Sequence, residues 1–171
     1  PTGEVYAGVD HIGSLGKGGG KGSIIRLIDA DHDGISEAHT VYAVIDNPRG
    51  IVPVGDKLYV LHTKWGEGKK FEGMFLSVLT DANGDGKADG PPKHLVREIS
   101  TRKFNQARGV DHTTNGIRVG IDGWIYIAVG DFGFVEATGT DGRTLTRRGG
   151  GIVRVRPDGS EMEVFSWGQR N

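Results

Sequence analysis

An acidic turn that recurs at a fixed distance constrains the fold of this chain most. The stretch RLIDADHDGISEAHTVY (26–42) resembles SVLTDANGDGKADGPPKHLV (77–96). Asp29 and Asp81 stand 52 residues apart, as do Asp33 and Asp85. IVRVRPDGSEMEVF (152–165) is a third copy with a shortened turn. A second element alternates with the first: GIVPVGDKLYVLH (50–62) resembles GIRVGIDGWIYIAVG (116–130). The unit is a hairpin around an acidic turn, followed by a segment ending GDKLYV or DGWIYI.

Within each unit apolar residues alternate with period two, the pattern of half-buried strands. It predicts strands over 23–28, 57–61, 124–129 and 151–156, and further ones over 40–45, 74–79, 93–99, 116–119 and 163–166. DHDG, NPRG, VGDK, NGDG, IDGW and RPDG supply turns between them. No window holds an amphipathic helix. Segments 13–22, 64–73 and 136–149, rich in Gly, Lys and polar residues, read as long, mobile loops. Four strands per roughly 50–65 residues is blade spacing in a β-propeller; a β-sandwich is the competing architecture. The expectation is an all-β chain holding about three four-stranded blades of a ring of about six. Closing such a ring takes roughly four to eight blades, so residues 1–171 read as a fragment of a single propeller domain.

Composition agrees and excludes some functions. Thirty glycines in 171 residues suit many short strands and tight turns. A net charge of −1 offers no basic surface for nucleic acid. The longest apolar runs, such as 121–129, are too short to span a bilayer. With no cysteine, disulfides, thiolate metal sites and a CxxCH haem motif are excluded within these residues.

The acidic turns are candidate cation loops. Asp29, Asp31, Asp33 and Glu37, and likewise Asp81, Asn83, Asp85 and Asp89, place oxygens at the first, third, fifth and ninth loop positions, with Gly34 or Gly86 at the bend. Calcium takes oxygen ligands at that spacing. An EF-hand needs a bidentate Glu where Thr40 and Pro92 stand, and it needs flanking helices, so neither loop is one. The alternative is a set of side-chain turns that only link two strands. A calcium here would brace a hairpin and perform no chemistry.

Candidate chemistry gathers in the second half. His112 has the intrinsic basicity to take a proton near neutral pH, and Asp111 beside it could orient it. Asp131 follows the strand IYIAV within GDFG. It is a second proton carrier or a helper to the histidine, or else a simple turn residue. Arg170 offers a charged fork suited to a carboxylate or a developing oxyanion, and Asn171 a donor and an acceptor. His11, His32, His39, His62 and His94 show no metal-ligand spacing. KGGGKG lacks the strand and helix of a phosphate loop and reads as a flexible loop. Trp65, Trp124 and Trp167 are candidates to line a sugar site, although Trp124, in a strand, reads as core.

At these residues the chain resembles the glucose/sorbosone dehydrogenase superfamily of quinoprotein β-propellers. The likeness is closest to the membrane-bound dehydrogenase branch found in planctomycetes and verrucomicrobia. It extends over nearly the whole chain. Its specific part is DH, then the DGWIY strand, then GD-x-G, then RxxPDGS, then a G-x-RN ending. The resemblance implies that His112 is the base for a substrate hydroxyl, with Asp111 beside it and Asp131 assisting. It implies that Arg170 and Asn171 contact pyrroloquinoline quinone (PQQ), with calcium as a further cofactor. It also implies a sugar or alcohol substrate, a cytochrome c electron acceptor, and a periplasmic or extracellular location. GQRN stands where GHRN is more familiar, and Glu136 lies near the place of a family glutamine. The expected function is a quinone-dependent dehydrogenase. The rival is a non-catalytic, calcium-braced propeller that binds carbohydrate or protein. A propeller lactonase would need a ring of Asn, Asp and Glu ligands that the sequence does not display.

Overall fold

The computed structural model describes residues 4–13 and 15–169. Its elements follow the alternation closely. Strands β1 (Val5–Asp10), β2 (Gly22–Ile28) and β3 (Ala38–Val44) form one antiparallel sheet in chain order. Strands β4 (Gly50–Val54), β5 (Lys57–Gly66), β6 (Lys70–Thr80) and β7 (Lys93–Arg97) form a second. The hairpin β10 (Phe134–Thr138) and β11 (Thr144–Arg147) extends this second sheet through one bridge, Thr138 to Arg97. The third sheet runs β13-β12-β9-β8, from β8 (Thr114–Val119), β9 (Ile125–Val129), β12 (Gly150–Val155) and β13 (Glu163–Gln169). The described residues are therefore all-β in three antiparallel sheets, with no closed barrel. Among them no helix is long and apolar enough to cross a membrane.

Burial explains the order of the sheets. On β5, Leu58 and Val60 join Ile24, Tyr42 and Leu79 in one core. Tyr59 and Leu61 point the other way and join Leu76, Ile125, Ile127, Phe134 and Val153 in a larger one. A strand buried on both faces sits between two packed layers, so the second sheet lies between the first and the third. Each fully buried Leu or Ile contributes about 1.5–3 kcal/mol.

The repeat is reproduced bond for bond. In the first acidic turn Asp33 N–H and Gly34 N–H donate to the two Asp29 carboxylate oxygens at 3.2 and 2.9 Å, and Ala30 N–H donates to Glu37 at 2.9 Å. In the second, Asp85 and Gly86 N–H donate to Asp81 at 3.1 and 2.9 Å, and Ala82 N–H donates to Asp89 at 2.8 Å. Gly34 and Gly86 take positive φ, +89° and +79°, which glycine adopts without a Cβ penalty.

Two sequence expectations need correction, and one further element was not expected. Residues 64–73 are no loop: β5 and β6 run on to Gly66 and Lys70, joined by a single 3-10 turn, Glu67–Lys69, with Trp65 and Phe71 buried. Residues 136–149 carry most of the β10–β11 hairpin. A helix, α1 (Arg102–Arg108), also forms. Its only buried residue is Asn105, so it shows no apolar stripe to find.

Candidate active site

The candidate site forms where chain segments leave one end of the third sheet. Thr114 of β8 pairs with Val129 of β9, Val129 with Gly151 of β12, and Gly151 with Trp167 of β13. Asp111 and His112 come just before β8, and Asp131 just after β9. Antiparallel pairing thus brings them to the same edge. Gly130 makes the approach possible: a Cβ there would fall 2.3 Å from the His112 carbonyl oxygen and 2.5 Å from that of Thr113. Instead, Gly130 N–H donates to Thr113 O at 3.0 Å and Phe132 N–H to His112 O at 3.3 Å.

His112 Nδ1 lies 2.8 Å from Asp131 Oδ1. A carboxylate only accepts, so the neutral ring carries its proton on Nδ1 and leaves the Nε2 lone pair available. Asp111 plays a different part from the orienting one its adjacency suggests. Its Oδ2 is 3.8 Å from His112 Nε2, beyond hydrogen-bond reach, while its Oδ1 accepts from the His112 backbone N–H at 3.1 Å. Asn115 Nδ2 donates to the Asp111 and Thr113 carbonyls at 3.0 Å each and fixes the loop. About a third of each of the three side chains is exposed (His112 34%, Asp111 37%, Asp131 31%), so the dyad is held yet reachable.

Sequence reasoning missed the neighbours contributed by other loops. The half-buried Arg49 guanidinium feels the carboxylates of Asp10 and Asp111, which oppose the lowering of its pKa by burial. Next to it Asn47 is buried in a left-handed conformation, φ +40°, which Asn tolerates. Its Nδ2 donates to Asp10, and its Oδ1 accepts from Thr63 Oγ1 and, at 2.9 Å, from Trp65 Nε1. The glycine-rich segment expected to be loose packs across this region: Leu15 O accepts from Val110 N–H at 2.8 Å, and Lys17 Nζ donates to Ala107 O at 2.7 Å. The only signal for these contacts was the NPRG turn, which says nothing of its partners.

The remaining candidates lie elsewhere. In the first acidic turn one oxygen each from Asp29, Asp31, Asp33 and Glu37 lies within 4.8 Å of the others, close enough to share a cation. Asp31, Asp33, Asn83 and Asp85 also accept backbone N–H bonds within their turns, at 3.3, 2.7, 3.0 and 2.9 Å. Trp65 and Trp124 are buried, whereas Trp167 is exposed with Arg147 5.5 Å above its ring. Glu136 sits on β10 with a left-handed φ of +61°. Arg170 and Asn171 lie outside the described residues; the last described residue before them, Gln169, pairs with Gly150 at the same sheet end as the dyad.

A second histidine cluster sits in the second sheet. His62 Nδ1 is 2.9 Å from Thr63 O, Nε2 is 2.8 Å from Ser77 Oγ, and Ser77 Oγ is 2.8 Å from His94 Nδ1. The carbonyl must accept, so His62 Nδ1 donates. Ser77 O–H then donates to His62 Nε2 and accepts from His94 Nδ1–H. Burial holds the His62 pKa down to about 4 from an ordinary 6.5.

No curated protein matches the chain. A family model described as a domain of unknown function, DUF7133, matches residues 6–171. Because that match takes in nearly the whole chain, from β1 to the last residue, the chain belongs to the DUF7133 family.

Proposed function

We propose that the chain is the active-site part of a quinone-dependent dehydrogenase acting on a sugar or another alcohol. In this reading the three sheets are neighbouring blades of a propeller and the dyad end of the third sheet faces its funnel. One observation carries the proposal: the 2.8 Å contact of His112 Nδ1 with Asp131, which leaves Nε2 as a reachable base. Oxidising a CH–OH group removes a hydride from carbon and a proton from oxygen. Loss of the proton makes the C–H bond a better hydride donor, so a base must stand beside the hydroxyl. His112 Nε2 takes that proton, and Asp131 stabilises the imidazolium that results. A bound quinone would supply the two-electron acceptor.

The described residues fit the proton-handling half of this chemistry. The quinone-holding half is assigned to Arg170 and Asn171, with Arg49 as a further cation on the described side. Calcium fits the first acidic turn, whose four converging oxygens are of the hard type it prefers. That same turn is what favours the second reading, a calcium-braced propeller without catalysis. A periplasmic or extracellular site and a cytochrome c acceptor belong to the dehydrogenase reading.

The deciding experiment loads the protein with PQQ and calcium and offers sugars and alcohols with a reducible dye. The dehydrogenase reading expects dye reduction that His112→Ala lowers by about 10²–10⁴-fold while the fold survives. Quinone binding with no turnover on any polyol would leave the binding module instead.

A further inference from the structure

His112 rests on a platform that belongs to neither of its carboxylate neighbours. The Phe132 ring lies 5.5 Å from the His112 ring at an interplanar angle of 23°, a stacked arrangement. Phe132 is itself only 4% exposed. Three groups from α1 and its flank hold it. Thr101, just before the helix, donates through Oγ1 to Phe132 O at 2.8 Å. Phe104 packs on the ring at 5.5 Å, and the Arg108 guanidinium lies 5.0 Å from its centroid. Offset stacking and a cation over an aromatic face both favour one ring orientation over free rotation.

From this we infer that Phe132, backed by α1, is a positioning residue for His112. A single hydrogen bond to Asp131 Oδ1 leaves the imidazole free to swing about that contact or to flip and offer Nε2 instead. The stack opposes the swing, because tilting the ring out of its plane would break the contact with Phe132. It holds the ring in the plane that keeps Nδ1 on Asp131. It also accounts for α1. This short helix has one buried residue and contributes little packing of its own, yet two of its side chains meet on Phe132. The inference rests on the reading of His112 as the base, but its test does not depend on turnover.

The test is nitrogen NMR of the His112 ring in uniformly labelled protein, following tautomer and titration. Wild type should show the Nδ1–H tautomer alone in its neutral form. Phe132→Leu, which keeps an apolar side chain but no ring, should show both tautomers and a shifted titration midpoint. Phe132→Tyr, which keeps the ring, should restore the wild-type pattern. Should Phe132→Leu fail to fold, the double substitution Phe104→Ala with Arg108→Ala removes two exposed props and is expected to move the same signals in the same direction. Unchanged His112 nitrogen signals in Phe132→Leu, or in the double variant where Phe132→Leu does not fold, would overturn the inference. A shifted tautomer in a protein that oxidises nothing would uphold the platform and count against the dehydrogenase. Turnover that needs His112 while the signals ignore Phe132 would do the reverse.

Discussion

Replacing His62 with Gln should remove most of one acid-sensitive part of this fold. His62 is 3% exposed and its pKa is held at about 4 by burial, against 6.5 when solvated. Between those values the unfolded chain binds a proton that the folded chain refuses, so folding stability rises with pH across that window. The contribution is intact above about 6.5 and is lost as pH falls toward 4. One pKa unit of difference is worth roughly 1.4 kcal/mol, so the loss between pH 7.5 and pH 4.5 is on the order of 2–3 kcal/mol. His94, whose pKa burial also lowers, pushes in the same direction. Glutamine can still accept the Ser77 hydroxyl through Oε1 but cannot be protonated in this range. Urea unfolding at both pH values reads the difference. Wild type should lose on the order of 2–3 kcal/mol more than His62→Gln on acidification. Parallel losses would show that the imidazole is not held neutral by burial, and the inferred donor order through Ser77 would fall with it.

Two other perturbations follow from the same geometry. Calcium should raise the melting temperature, by an amount equivalent to about 2.7 kcal/mol at a hundredfold excess over the dissociation constant, and Asp29→Ala should shrink that rise; no rise in wild type would count against a bound ion. Gly130→Ala puts a Cβ 2.3 Å from the His112 carbonyl oxygen and should cost about 1–3 kcal/mol in urea unfolding while disturbing the His112 ring signals; a neutral substitution would mean that the loop yields more readily than this close approach implies.

How far the sequence could be read depended on how regular each residue pattern was. The 52-residue echo of Asp29 in Asp81 was visible because the same side chains close the same turn twice. The pairing of β8 with β9 was visible as alternation on either side of IDGW, and that hairpin is what brings His112 to Asp131 across 19 residues. The β10–β11 hairpin was hidden because a register shift between Phe134 and Ala137 breaks its alternation. The extension of β5 into β6 was hidden by Gly66, Glu67, Gly68 and three lysines, although Trp65 and Phe71 anchor it at 5.2 Å edge to face. Helix α1 was hidden because its only buried residue is Asn105, which leaves no apolar stripe to read. Arg49, Asp10 and Asn47 could not be placed near Asp111 from sequence, since they come from a loop and the end of β1, whose meeting is set by how whole sheets pack.

A double-mutant cycle on turnover tests the His112–Asp131 dyad most directly. With protein loaded with quinone and calcium, kcat/KM for dye reduction would be compared among wild type, His112→Ala, Asp131→Asn and the double variant. A general base of this kind contributes about 10²–10⁴-fold, so His112→Ala should fall by that factor. Adding Asp131→Asn should then cost almost nothing more, because Asp131 acts through the ring that is already gone. Losses that multiply, or turnover indifferent to His112, would contradict the proposed mechanism.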